Sequence, residues 1–244
     1  MLIIISFFLA HWYLSIFSQT FFLHRYAAHR MFKMNKFWER FFYVFTFITQ
    51  GSSYLSPASY GKMHRLHHAH ADTEHDPHSP SYSKNLFDMM WKTRRVYLDI
   101  DRDKVEVDQR HTKNLPEWEA FDNFAQSIFT RIAWALFYIW FYVQFAPSAW
   151  WFILIPIHIT MGPTHGVIIN WFSHKIGYRN FESKDTSTNY LPFDFLTMGE
   201  GYHNNHHRYG HKPNFGGVRW HEIDLTWLVI RGLDKIGVLQ LRIQ

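Results

Sequence analysis

Apolar positions gather into four segments, at about 2–23, 37–60, 128–146 and 149–172. A helix needs roughly 20 such residues to cross a bilayer. The third and fourth segments are separated only by Ala146-Pro147-Ser148 and predict a tight helical hairpin. The second is opened by Glu39-Arg40 and interrupted by Gly51-Ser52-Ser53 and Pro57, which predicts a helix lying in the interface or buried on the aqueous side rather than a span. Polar sequence over about 84–126 predicts further helices, Gly and Pro around 210–217 a loop, and 222–237 a final amphipathic helix. The expected fold is an all-α integral membrane domain covering 1–244. It has three spans (about 2–23, 128–146 and 149–172) and one interfacial helix, capped by an aqueous helical part over about 24–127 and 173–244.

Composition sharpens this picture. Aromatics make up 20% of residues, 11 of them Trp, which suits interfacial aromatic belts. Mean hydropathy is only −0.25, so a sizeable part of the chain is wet. No cysteine is present, which excludes disulfides, iron–sulfur clusters, thiolate zinc sites and cysteine nucleophiles. The formal charge is +5, but the basic residues flank apolar segments, favouring anionic lipid or a phosphate-bearing substrate over nucleic acid. The stretch after Met1 has neither a basic n-region nor a small-residue cleavage site, so no signal peptide is expected.

The histidines carry the candidate chemistry. They fall into His24-x-x-x-x-His29, His64-x-x-His67-His68 and His203-x-x-His206-His207, with His174 apart. On a helix, positions i, i+3 and i+4 share a face, so each His-x-x-His-His set is expected to aim all three imidazoles at one centre. His24 and His29 stand about 140° apart on an α-helix. They either serve different metals or lie where the helix end distorts. A single tetrahedral ion takes about four ligands, so nine imidazoles suggest two ions. A run of surface histidines is the bland alternative, but these sets are far apart and repeat a helical spacing. If the sets meet, they lie on one side of the membrane, a parity that three spans satisfy. Arg25, Arg30, Lys62, Arg65, Arg94, Arg95 and Lys175 fall on that side, placing it in the cytoplasm by the positive-inside rule.

Asn170 lies four residues before His174 and could hold a metal-bound water. Glu200, Asp76, Asp72 and His78 are candidates for orienting the imidazoles through their far ring nitrogens. Glu200-Gly-Tyr-His203 matches Glu-x-x-His of the soluble di-iron bundles, but that class needs two such motifs and two further glutamates. His11, His158 and His165 fall in expected spans; hydrogen bonding between helices is favoured over haem binding. No His-Glu-x-x-His occurs, against a zinc hydrolase. Ligands gathered on one face argue against a metal or haem transporter.

The three histidine boxes resemble those of the integral-membrane fatty-acid desaturases, over about residues 20–225. Asp76-Pro77-His78, Gly199-Glu200-Gly201-Tyr202-His203-Asn204-Asn205-His206-His207 and Asn170-Trp171-Phe172-Ser173-His174 with Gly177-Tyr178-Arg179 resemble the acyl-CoA branch, of the stearoyl-CoA delta-9 kind. The resemblance implies a non-haem centre of two iron ions held by the nine histidines, with Asn170 acting through water. It implies O2-dependent introduction of a cis double bond into a saturated acyl chain lying in an apolar tunnel. It also implies a bacterial inner-membrane location. Lys62 and Arg95 fall at basic positions expected to meet the acyl carrier, although Arg is frequent where Lys62 stands. Tyr54-Leu55-Ser56-Pro57 lacks a polar pair found in acyl-CoA members, which leaves CoA, acyl-carrier protein or a glycerolipid as carrier. Animal-type members have four spans, and the first apolar segment here corresponds to their second. No His-Pro-Gly-Gly segment occurs, so a separate electron donor such as cytochrome b5 or ferredoxin is expected. The alternative within the same histidine class is a membrane acyl or alkyl hydroxylase.

Overall fold

A computed structural model describes residues 1–242. The chain is mostly helical. Helix α1, Leu2–Ser18, runs on without a break as a π-helix over Gln19–Ala28. Then come the short strand β1 (Phe32–Lys33), α2 (Lys36–Gln50), a 3-10 turn (Gly51–Ser53) and α3 (Pro57–His70). Helices α4 (Leu86–Asp101), α5 (Gln109–Thr112), α6 (Glu119–Ala125) and α7 (Ile128–Phe145) follow. A 3-10 stretch (Ala149–Leu154) leads into α8 (Ile155–Ile159) and α9 (Met161–Val167), with a second π-helical turn over Ile168–Phe172. The irregular segment after it leads to α10 (His203–Arg208) and α11 (Leu225–Lys235), and β2 (Gln240–Leu241) pairs antiparallel with β1.

Leu2–Ala28 and Ile128–Phe145 are long and apolar enough to cross a membrane. The expected span at 149–172 differs: it is two helical pieces, Ala149–Ile159 and Met161–Phe172, bent by 74°. Pro163 explains the break. It has no N–H for the carbonyl of Ile159, four residues back. That carbonyl instead accepts the hydroxyls of Ser52 and Ser53, at 2.9 and 3.0 Å. The interruption of the second apolar segment thus satisfies the interruption of the fourth.

Local sequence sets the helix starts. Asn35, Ser56, Asn85 and Asp224 cap α2, α3, α4 and α11, each accepting a backbone N–H of the first turn. Pro57 follows its cap at a position where its missing N–H costs nothing. Helix α2 stops at Gly51, whose φ of +54° suits glycine. Arg131 on α7 donates to the carbonyls of Ser52 and Tyr54, at 2.6 and 3.0 Å, and so locks the bend that follows.

Two apolar clusters hold the helices. Phe21, Phe22, Phe42, Tyr43, Tyr202 and Ile230 join the π-helix to α2 and α11. Ile4, Tyr138, Tyr142 and Ile155 join the start of α1 to α7 and α8. His11 Nδ1 lies 2.6 Å from His158 Nδ1, and the Tyr142 hydroxyl 2.9 Å from His158 Nε2, so this pair bonds between helices. Among the described residues His165 makes no such bond: both ring nitrogens are buried without a hydrogen-bond partner there, with its ring edge-on to Trp12.

Candidate metal centre

Three elements present the histidine boxes: the π-helix at the end of α1, α3 and α10. In the π-helix the His29 N–H donates to the His24 carbonyl at 3.0 Å, an i→i+5 bond. The wider turn brings residues five apart onto one side. This resolves the open question of His24 and His29 in favour of a distorted helix end, and both serve one group.

The boxes do not each serve one centre, contrary to the sequence expectation. His24, His29, His64, His68 and His206 form one group; His67, His174, His203 and His207 form another. The reason is helical phase. In α3 the i,i+4 pair His64 and His68 faces the first group, while His67, about 100° from His68, faces the second. In α10 the assignment is reversed: His203 and His207 pair in the second group and His206 turns to the first.

In both groups the Nε2 atoms converge. His24–His206, His29–His64, His64–His68 and His68–His206 are each 3.0 Å apart. His174–His203 is 3.1 Å and His67–His207 3.3 Å. Several Nδ1 atoms are engaged elsewhere. His24 Nδ1 donates to Glu200 Oε2 at 2.7 Å, His67 to Asp76 at 2.9 Å, His174 to Asp72 at 2.9 Å and His207 to Asp185 at 3.0 Å. A neutral imidazole carrying its proton on Nδ1 presents a lone pair at Nε2. Burial first, and neighbouring imidazoles second, hold the pKa values of His64, His67, His68, His203 and His206 well below the usual imidazole value. Converging lone pairs repel unless a cation stands between them. Imidazole–metal bonds of about 2.0–2.1 Å at right angles put the two nitrogens about 3 Å apart. The donor set therefore fits two divalent ions bound by nitrogen.

The carboxylates are held in turn. Asp76 accepts the N–H of Asp72 and of His78, at 2.8 and 3.0 Å. Desolvation raises the Asp72 pKa, but hydrogen bonds from His174 and Thr186 outweigh it, bringing it down to about 2. Glu200 also takes Arg25 at 3.1 Å and the Thr20 hydroxyl, and Arg25 reaches Asp224 at 2.7 Å. Between the histidines of α10, Asn204 Oδ1 accepts the N–H groups of Asn180 and Phe181, both at 2.9 Å, while the Asn205 amide donates to Glu222 at 3.0 Å. Gly199 precedes this helix with φ +110°, and a Cβ there would lie 2.3 Å from Asp224 Oδ1.

His78 packs on His67 with ring centroids 4.2 Å apart and ring planes tilted by 36°, and neither of its nitrogens has a hydrogen-bond partner among the described residues. Asn170 is half-buried on the second π-helical turn, and no hydrogen bond ties it to the histidines among the described residues. Lys62 lies 3.9 Å from Asp103 on the outer side of α3, and Arg95 is exposed on α4, so neither is brought to the histidine groups. Asp185 escaped sequence reading because it stands 22 residues before His207 in a polar run with no characteristic spacing. Asn204 and Asn205 were legible as part of the box, but not as its scaffold.

A family model for fatty acid desaturases matches residues 1–240, and the chain belongs to that family. It is 30% identical over 234 residues to an sn-1 stearoyl-lipid 9-desaturase of Anabaena variabilis, a match covering 94% of this chain and 80% of that protein. It is 32% identical over 216 residues to an sn-1 stearoyl-lipid 9-desaturase of Synechocystis sp., covering 88% and 64%. It is 32% identical over 238 residues to an icosanoyl-CoA 5-desaturase of Limnanthes douglasii, covering 96% and 63%. The chain thus spans less than two thirds of the length of the last two relatives. Family and relatives together make it an oxidoreductase acting on acyl chains.

Proposed function

We propose that this protein is an O2-dependent acyl desaturase that introduces a cis double bond into a saturated chain at a centre of two iron ions. The observation that carries the reading is the pair of histidine groups with converging Nε2 atoms and carboxylate-held Nδ1 atoms. Two iron ions, when bound, would activate O2 for removal of two vicinal hydrogens. The reaction balances as O2, two external electrons, two protons and a CH2–CH2 unit going to CH=CH and two waters. A separate one-electron carrier, such as cytochrome b5 or ferredoxin, supplies the electrons.

The chain's own residues position and protect. His24, His29, His64, His68 and His206 hold one ion; His67, His174, His203 and His207 hold the other, with Asn170 acting through water. Glu200, Asp72, Asp76 and Asp185 fix the tautomer and direction of the imidazoles. Burial of His24, His67, His203 and His206 keeps bulk water from the site. His78 packs behind His67 and fixes its ring plane.

The chain forms one domain in the bacterial inner membrane. Leu2–Ala28, Ile128–Phe145 and the bent pair at 149–172 span it, α2 lies at the interface, and the metal centre faces the cytoplasm. Exposed Phe129, Ile132, Leu136, Trp140 and Val143 on α7 support this placement, since they form a lipid-suited surface. The acyl carrier is a glycerolipid or CoA, as in the names of the relatives; Lys62 and Arg95 would meet a CoA phosphate. The test is the fatty-acid profile, with double-bond localisation by mass spectrometry, of a desaturase-deficient host expressing the chain. A new monounsaturated acid is expected. A hydroxy acid instead would make the protein a hydroxylase of the same class. Lys62→Ala and Arg95→Ala should raise KM for acyl-CoA; an unchanged KM argues for a lipid-linked or other carrier.

A further inference from the structure

The two histidine groups are supported unequally. In the four-histidine group, three of the four imidazoles donate a hydrogen bond from Nδ1 to a carboxylate: His67 to Asp76, His174 to Asp72 and His207 to Asp185. In the five-histidine group, among the described residues, only His24 donates in this way, to Glu200. The charges differ as well. Glu200 is also paired with the fully buried guanidinium of Arg25 at 3.1 Å, a guanidinium it shares with Asp224 at 2.7 Å. Among the described residues, Asp72, Asp76 and Asp185 have no Lys or Arg ion-pair partner, and their side chains are 7%, 0% and 14% exposed. Their negative charge is met only by histidine and by short hydrogen bonds. Thr186 donates to Asp72 from N–H and hydroxyl, at 2.7 and 2.8 Å, while the Ser187 N–H donates to Asp185 at 3.0 Å. One segment, 185–187, therefore steadies two of the three carboxylates.

Carboxylate acceptors make an imidazole a stronger donor, and unscreened negative charge near a buried cation favours its binding. We infer that the two metal positions are unequal by construction: the four-histidine position takes its ion first and more tightly, with Asp72, Asp76 and Asp185 as positioning residues. The five-histidine position, with one orienting carboxylate that shares Arg25 with Asp224, fills second. This rests on the dimetal reading proposed above. Loss of one such outer partner costs about 10–100-fold in metal affinity. Three partners against one therefore separate the two steps by at least about tenfold.

The experiment is an anaerobic calorimetric titration of the metal-free full-length protein in detergent with Fe2+, alongside metal-to-protein ratios after equilibrium dialysis. The expected result is two ions bound in two resolved steps. Asp185→Asn, which keeps the side-chain shape, weakens the first step about 10–100-fold and leaves the second. Glu200→Gln weakens only the second. His206→Ala retains the tight step and His203→Ala loses it, so the assignment does not hang on one variant. Two coincident steps, an unchanged first step in Asp185→Asn, or a retained tight step in His203→Ala would each overturn the inference while leaving the dimetal centre standing. A wild-type capacity other than two ions would overturn both.

Discussion

Replacing Glu200 by Gln tests how one buried carboxylate serves two tasks. Glu200 is 3% exposed and accepts from His24 at 2.7 Å and from Arg25 at 3.1 Å. Removing one partner of a buried ion pair costs about 3–5 kcal/mol. Arg25 keeps Asp224 at 2.7 Å, so the lower end, about 3 kcal/mol, is expected for the metal-free protein. The second effect is on metal. Without a carboxylate the His24 tautomer is no longer fixed, and the affinity for the ion it faces should fall about 10–100-fold. Asp224→Asn separates the two effects, because it weakens the same guanidinium pairing without touching His24. Chemical denaturation in detergent reads the first effect, and metal content after dialysis against a weak chelator reads the second. The expected pattern is loss of stability in both variants and loss of one ion in Glu200→Gln alone. Full metal retention by Glu200→Gln, with stability lowered as in Asp224→Asn, would refute the orienting role of Glu200.

Further outcomes follow from the same geometry. His67→Ala and His206→Ala should each abolish turnover and reduce metal content, while His111→Ala, whose side chain lies outside both groups, should leave product yield and metal content near wild type. Ser52→Ala with Ser53→Ala removes both donors to the Ile159 carbonyl, leaving it without these partners, at a cost of about 1–3 kcal/mol readable as a lowered melting temperature. The metal-free protein should lose stability as pH falls below about 6.5. There the unfolded chain takes up protons that the lowered pKa values of His64, His67, His68, His203 and His206 deny to the folded site. Denaturation midpoints that stay constant from pH 7.5 to 5.5 would contradict neutral, buried imidazoles.

Much of this was readable from residue order alone. Four apolar segments, the breaks at Gly51 and Pro57, and the histidine boxes are local patterns, and local physics makes them legible. The sequence also nominated all nine imidazoles that the fold brings together, as well as Glu200 and Asp76. Division of the boxes between two groups was not legible. It depends on how α3 and α10 are rotated against each other, which packing decides. The i→i+5 turn that joins His24 to His29 is a backbone choice that no spacing rule announces. The bend of 74° near Thr160 was not anticipated for the expected span at 149–172; the carbonyl that Pro163 leaves free is met by the hydroxyls of Ser52 and Ser53, more than a hundred residues earlier. Asp185 reaches His207 only because its loop lies across the site. Sequence thus determined the donor chemistry and the membrane-suited segments, because both follow from residue type and short-range period. Tertiary structure alone decided which imidazole faces which ion position and which carboxylate stands behind it, because those are contacts between segments far apart in the chain.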